Sequence, residues 1–173
     1  YDESTLPRPS AGSVYGRAKR DAEQTIAGLY PAALIVRTSL IYDFDPSNAQ
    51  VAWMLRAIER GEKIPLYTDQ IRCPVWVWNL ARILLELAEE DLSGILHAVG
   101  PRPVSRYDLG CTLLEALGYN PAAHVVPARA PDHLPKRLVL STQRLESVLR
   151  YNKLRSLEEA RALWRARDKL AGF

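Results

Sequence analysis

Val14-Tyr-Gly-Arg-Ala-Lys-Arg-Asp-Ala-Glu-Gln-Thr-Ile-Ala-Gly-Leu-Tyr-Pro-Ala-Ala-Leu-Ile-Val-Arg-Thr-Ser-Leu-Ile-Tyr42 holds two secondary structures in succession. Residues 14–29 form a helix-forming segment that ends near Gly28, with Pro31 beyond it, the usual punctuation of a helix C-terminus. Ala33-Leu-Ile-Val-Arg-Thr38 then runs apolar and β-branched, which predicts a buried strand of a parallel sheet. A helix followed directly by a buried strand is half of an α/β repeat, and the flanking sequence continues it.

Upstream, residues 1–12 read as a polar, Pro-rich loop. Downstream, 43–48 read as a turn and 49–60 as a helix closed by Gly61. Ile64-Pro-Leu-Tyr67 and Ile71-Arg-Cys73 are short extended pieces, and Asn79 is placed to cap a helix running to about Glu90. Gly94-Ile-Leu-His-Ala-Val99 predicts a second buried strand. Ser105 predicts the cap of a helix over 106–117, with Gly118 at its C′ position and Asp108 in an acidic form of the capping box. Val125-Val126 is a short strand, and 142–150 and 156–170 are helices, the last opened by Ser156 with Glu159 three residues later. Strand and helix alternate throughout, so the fold class is α/β with a parallel sheet.

The composition fits this. A chain of 173 residues with 47% hydrophobic and 25% charged residues is sized for one globular domain with a real core. The net charge of +3 is interspersed rather than blocked, which argues against a nucleic-acid surface. Arg161, Arg165 and Arg167 lie beside Glu158 and Glu159 and read as a solvated helix face. Cys73 and Cys111 are far apart and read as buried, reduced thiols, and His97, His124 and His133 match no zinc spacing. Trp53, Trp76, Trp78 and Trp164 read as core or interface residues, with stacking on a base or sugar as the alternative. No apolar run reaches membrane-spanning length and no signal peptide is visible, so the expectation is a cytoplasmic protein without a membrane partner.

Tyr15 and Lys19 carry the chemistry. A spacing of four puts both on one helix face. A free phenol titrates near pH ~10, and a fixed ammonium beside it favours the phenolate, so the pair suits general acid–base work on a carbonyl or alcohol. The same spacing also describes an ordinary exposed i,i+4 pair. No Gly-x-x-Gly-x-x-Gly or Gly-x-Gly-x-x-Gly loop stands between a strand and a helix anywhere in the sequence. Together with a start at Tyr1 inside a loop-like run, this leads to the expectation of a fragment, without the cofactor-binding glycine loop and inactive alone.

Several motifs in order sharpen the reading: Tyr15-x-x-x-Lys19 followed by Glu23; Leu34-Ile-Val-Arg-Thr-Ser-Leu-Ile-Tyr42; Asp69-Gln70 and Pro74 ahead of Asn79-Leu-Ala81; Gly94-Ile-Leu-His-Ala-Val-Gly100; Val104-Ser-Arg-Tyr-Asp-Leu-Gly110; and Leu140-Ser-Thr-Gln-Arg-Leu145. Their succession resembles the extended short-chain dehydrogenase/reductase family, closest to its dTDP-4-dehydrorhamnose reductase (sugar nucleotide-binding) group, over essentially the whole chain. The resemblance implies the C-terminal part of a Rossmann-type doubly wound parallel sheet plus a small α/β substrate-binding domain. Residues 1–42 would end the dinucleotide-binding domain, and 43–173 would be mainly substrate-binding, with about 80–100 returning to the Rossmann sheet.

The resemblance further implies NAD(P)H-dependent reduction of a 4-keto nucleotide sugar. Tyr15 would be the proton donor and Lys19 its activator, both also contacting the cofactor (NADP or NAD). Thr38 and Ser39 would lie beside the nicotinamide, or else be a plain strand exit. Leu40 and Arg72 would face the substrate. Leu40 stands where the dehydrorhamnose reductases usually carry a Trp, Asp43 where Gly usually follows the Tyr, and Arg72 where a small residue is expected, so the reaction class is implied but the rhamnose substrate is not. Arg72 reads either as a bidentate phosphate ligand or as a surface arginine. The alternatives on the same fold are a non-catalytic nucleotide-binding regulatory protein and a nucleotide-sugar epimerase or dehydratase. A homodimer packed through the Tyr15 helix is compatible with the resemblance.

Overall fold

The computed structural model describes residues 1–8 and 13–171, with side chains as far as Arg167. Residues 9–12 of the expected leading loop lie outside the described residues. In chain order the elements are α1 (Val14–Leu29), β1 (Leu34–Arg37), β2 (Ile41–Tyr42), α2 (Ala49–Glu59), β3 (Ile64–Tyr67), β4 (Ile71–Arg72), β5 (Val75–Trp76), α3 (Val77–Ala88), β6 (Gly94–His97), β7 (Val104–Ser105), α4 (Arg106–Ala116), α5 (Pro121–His124), β8 (Val125–Ala128), α6 (Gln143–Val148) and α7 (Leu157–Ala171).

The strands form two-stranded ladders. Pairs β1–β6, β2–β5 and β3–β8 are parallel, and β4–β7 is antiparallel. The two runs read as parallel strands pair with each other, Leu34 opposite Gly94 and Arg37 opposite His97. Their burial is shallower than expected. All four residues of β1 are half-buried, because only one face meets the core. Leu34 and Val36 pack there against buried residues that include Leu80, Ile83, Leu87 and Leu96, whereas the alternate residue Arg37 turns towards α1.

The larger cluster of buried side chains joins β2, α2, β3, α4 and the start of α7 through Tyr42, Val51, Met54, Ile64, Leu113 and Leu157. The other joins β5, α3, β6 and α6 through Val75, Leu80, Ile83, Leu96 and Leu145. Each fully buried Leu or Ile in them stabilises the fold by about 1.5–3 kcal/mol.

The helix caps follow sequence chemistry in most places. The Ser105 hydroxyl accepts the Asp108 N–H at 2.9 Å and donates to the Asp108 carboxylate at 2.6 Å. Gly118, one residue past the C-cap Leu117, has φ +85°, the left-handed conformation that the C′ position requires. At α7 the Ser156 N–H donates to Glu159 Oε2 at 2.9 Å, and the Glu159 N–H to Ser156 Oγ at 3.3 Å, a reciprocal capping box.

Asn79 departs from its expected role. The cap of α3 is Trp76, and Asn79 lies inside the helix and is buried. Its amide donates to the Lys153 carbonyl at 3.0 Å and its oxygen accepts the Arg155 N–H at 2.8 Å. The side chain satisfies the main chain of a crossing segment rather than its own helix end. Cys111, read as buried, is half-buried; Cys73 is buried as expected.

Candidate active site

Helix α1 projects Tyr15 and Lys19. Ser13 caps it, its hydroxyl accepting the Gly16 N–H at 3.0 Å, so the helix begins one residue before the tyrosine. The two side chains share a face, and the Lys19 ammonium stands 5.8 Å from the Tyr15 ring centroid. Tyr15 is 75% exposed and no residue of α1 is buried, so the phenol is open to an incoming reactant.

One ion pair fixes where this face points. Arg37, the last residue of β1, donates from Nε and Nη2 to the two carboxylate oxygens of Glu23 at 2.7 and 2.6 Å. A bidentate, half-buried pair fixes angle as well as distance. Glu23 raises the Arg37 pKa against the effect of burial. The pair clamps α1 to the carboxyl end of the parallel ladder, where α/β sheets place their chemistry. Thr38, exposed, and Ser39, half-buried, follow immediately. Leu40 packs on the larger core cluster, and its carbonyl accepts the Val75 N–H at 2.8 Å, so Thr38–Leu40 lead from β1 into β2.

Asp43 closes this end of the sheet. Its Oδ1 accepts the Phe44 N–H at 2.8 Å and the Trp76 indole N–H at 2.9 Å, and its Oδ2 accepts the Trp78 indole N–H at 3.1 Å. Both tryptophans thus reach one carboxylate, as positions two apart on one side of an extended segment do. Trp76 ends β5, and Trp78 lies in the first turn of α3, which begins at Val77. The Arg167 guanidinium lies over the Trp78 ring at 4.2 Å. His97, at the end of β6, is fully buried; burial lowers its pKa, opposed by the Glu3 carboxylate 3.8 Å from Nδ1.

Arg72 belongs to a different part of the molecule, the β4–β7 ladder. Its guanidinium donates to the carbonyls of Ile71 at 2.7 Å, Lys136 at 3.3 Å and Pro135 at 2.6 Å. It clasps the 135–136 strap, and none of these bonds reaches Thr38, Ser39, Leu40, Tyr15 or Lys19. Burial, then the neighbouring Arg106, pushes its pKa down. Arg106 carried no signal in the sequence, where it is one arginine among many; only the ladder register brings it beside Arg72.

Comparison with known proteins places this architecture. The model of a family described as the RmlD substrate binding domain matches residues 1–167. A probable low-salt glycan biosynthesis reductase of Haloferax volcanii is 27% identical over 157 residues, covering 86% of this chain and 52% of its own. A dTDP-4-dehydrorhamnose reductase of Mycolicibacterium smegmatis is 32% identical over 138 residues, covering 76% and 42%. Among solved structures, the dTDP-4-dehydrorhamnose reductase of Bacillus anthracis in complex with NADP superposes with a TM-score of 0.78 at 27% identity, covering 93% of this chain and 56% of that one. The chain therefore spans about half the length of the curated relatives it matches.

Proposed function

This chain belongs to the RmlD substrate binding domain family, and from that premise we propose that it contributes the proton donor and the substrate side of an NAD(P)H-dependent reduction of a 4-keto nucleotide sugar. The observation that carries the reading is the exposed Tyr15–Lys19 face, clamped to the carboxyl end of the β1–β6 ladder by Glu23 and Arg37.

The donor set suits the nicotinamide-ribose end of the cofactor: a phenol, an ammonium, and the hydroxyls of Thr38 and Ser39. The sequence holds no glycine-rich turn between strand and helix for the cofactor's phosphates. When bound, the reduced nicotinamide supplies the hydride that adds to the carbonyl carbon. Tyr15 gives its hydroxyl proton to the carbonyl oxygen, so the ketone leaves as a secondary alcohol. Lys19, on the same helix face, would act as its activator and would hydrogen-bond the ribose. Leu40 and Arg72 face the substrate. Residues 1–42 with about 80–100 form the cofactor side, and 43–173 otherwise the substrate side; Leu34 and Val36 pack with Leu80, Ile83, Leu87 and Leu96 in one buried cluster, which Val75, Leu145 and Leu154 also join.

The test is Tyr15→Phe in the natural polypeptide that carries these residues, assayed for oxidation of NADPH by a dTDP-4-keto-6-deoxy sugar. Loss of a general acid is expected to lower kcat by about a hundredfold or more, with NADPH affinity retained. Unchanged turnover would overturn the reading and leave a protein that only binds nucleotide.

A further inference from the structure

One carboxylate of the leading segment turns inward. Asp2 and Ser4 are exposed, while the Glu3 side chain between them is only 12% exposed. The turn is built locally: Asp2 Oδ1 accepts the N–H groups of Ser4 and Thr5, each at 3.1 Å, which fixes the main chain around Glu3. The Tyr1 carbonyl accepts the Ser141 N–H at 2.7 Å and anchors the same segment. A carboxylate drawn out of water is costly unless it is matched. Glu23 is matched by Arg37, yet among the described residues Glu3 has no lysine or arginine at ion-pair distance.

Its contacts lie at the end of β6. Glu3 Oε1 accepts the His97 N–H at 3.0 Å and stands 3.8 Å from His97 Nδ1. That N–H belongs to the outer edge of the strand. The inner edge faces β1, where the N–H groups of Gly94 and Ala98 go to the carbonyls of Ala33 and Arg37 at 3.0 and 2.9 Å. Arg144 of α6 serves the outer edge as well, donating to the Ser93 carbonyl at 3.1 Å and to that of Ile95. Glu3 and Arg144 thus stand in for a neighbouring strand. His97 pairs in register with Arg37, so the two side chains leave the ladder on the same face, their strands about 4.8 Å apart. On that face Arg37 reaches Glu23 of α1. The His97 ring is fully buried, and neither of its nitrogens has a hydrogen-bond partner among the described residues. The ring is a packed spacer between Glu3 and Arg37. Glu23 foremost, and Glu3 after it, favour the charged Arg37 guanidinium against burial.

We propose that Glu3 is a positioning residue for the Tyr15 proton donor: it ties the leading segment to the outer edge of β6 and, through His97 and Arg37, holds α1 at the carboxyl end of the ladder. The inference rests on the reductase reading above. The hydrogen bond from His97 sets the place of Glu3, the buried ring sets the place of the Arg37 stem beside it, and the bidentate pair passes that placement to Glu23. Glu3 itself bonds to neither Tyr15 nor Lys19, so its effect is on geometry. A proton donor is sensitive to geometry, because a displacement of about 1 Å costs up to a hundredfold in rate.

The experiment is steady-state oxidation of NADPH by a dTDP-4-keto-6-deoxy sugar in the natural polypeptide that carries these residues. The variants are Glu3→Ala, Glu3→Gln, Arg37→Ala and the Glu3→Ala, Arg37→Ala double, with folding checked by circular dichroism. Glu3→Ala should lower kcat by about tenfold or more with both KM values unchanged. Glu3→Gln keeps an acceptor for the His97 N–H and should recover most of that loss. Because the route runs through Arg37, the two losses should not multiply in the double variant. The proposal is overturned if Glu3→Ala turns over as the wild type does, if the loss lies in KM alone, if Glu3→Gln is as slow as Glu3→Ala, or if the losses multiply. Hydrogen exchange of this chain lets the two readings fail separately. Turnover that survives Tyr15→Phe, with α1 amides exchanging faster in Glu3→Ala and α4 unchanged, would remove the reductase reading and keep the tether. Turnover lost in Tyr15→Phe, with kcat and α1 exchange both indifferent to Glu3, would remove only the positioning role.

Discussion

Gly100 shows how one residue can hold two segments together. A Cβ built there would lie 1.9 Å from the Pro74 carbonyl oxygen, a main-chain atom that cannot swing aside. The Gly100 N–H donates to the Cys73 carbonyl at 3.2 Å, so the chain leaving β6 runs hard against the chain entering β5. Gly100→Ala must force these backbones apart, and the expected cost is about 1–3 kcal/mol or more, read as a lower urea midpoint. Gly118 is the opposite case. Its Cβ would meet nothing within 4 Å, but φ is +85°, so Gly118→Ala should cost about 1–2 kcal/mol through backbone strain alone. A larger loss at position 118 than at position 100 would contradict this division between crowding and conformation. At the same scale, Asp43 replaces the expected glycine with a carboxylate that two indoles and the Phe44 amide need.

At the scale of elements, α3 does more than supply an apolar face. Asn79 and Glu86, two turns apart on its buried side, collect the main chain of the segment between α6 and α7. Glu86 accepts the N–H groups of Arg150, Tyr151 and Asn152, the last two at 3.0 and 2.9 Å, and the Asn152 amide at 2.7 Å. These donors, the Tyr151 N–H foremost and against the effect of burial, hold its carboxyl at about 2 instead of the 4.5 of a free glutamate. A carboxyl with a depressed folded pKa adds stability that is complete above the unfolded value and is lost as pH falls through the folded one. The Glu86 contribution should therefore be full above about pH 4.5 and fade towards pH 2. Glu86→Gln should lower the melting temperature at neutral pH and flatten its fall over that acid window. An unchanged acid slope in Glu86→Gln would mean that another group dominates there.

For the whole molecule, the candidate active site sits on a shallowly packed helix. No residue of α1 is buried, whereas α4 buries Leu109, Gly110, Leu113 and Leu114. Local opening is cheapest where little apolar surface is lost, so amide hydrogens of α1 should exchange first and those of α4 last in this chain. Arg37→Ala removes the bidentate tie to Glu23 and should speed exchange in α1 while leaving α4 unchanged; equal acceleration in both would show that the pair supports the global fold instead. The exposed residues Val14, Tyr15, Leu29 and Tyr30 give α1 an uncovered apolar surface. Among the described residues no helix is long and apolar enough to cross a membrane.

Local chemistry was enough to read α1, α2 and α4 to within a residue or two, along with the caps at Ser105 and Ser156, the glycine stop at Gly118, and the strands at Leu34–Arg37 and Gly94–His97. Each rests on periodicity or on hydrogen bonds between neighbours in the chain. The two-residue strands β2, β5 and β7 are too short to carry a period, and the tertiary structure alone defines them. The same holds for Asn79, whose partners lie 74 and 76 residues away, and for Glu86. It holds too for the convergence of Trp76 and Trp78 on Asp43, 33 and 35 residues away. Of the candidate site, the Tyr15–Lys19 face could be read from a spacing of four. The Glu23–Arg37 clamp and the Arg72–Arg106 pairing could not, because ion pairs and ladder registers between distant segments leave no mark in local sequence. The sequence by itself determined which segments become helices and strands and which side chains could move a proton; only the tertiary structure decided which charges would meet a partner and which would be left facing each other.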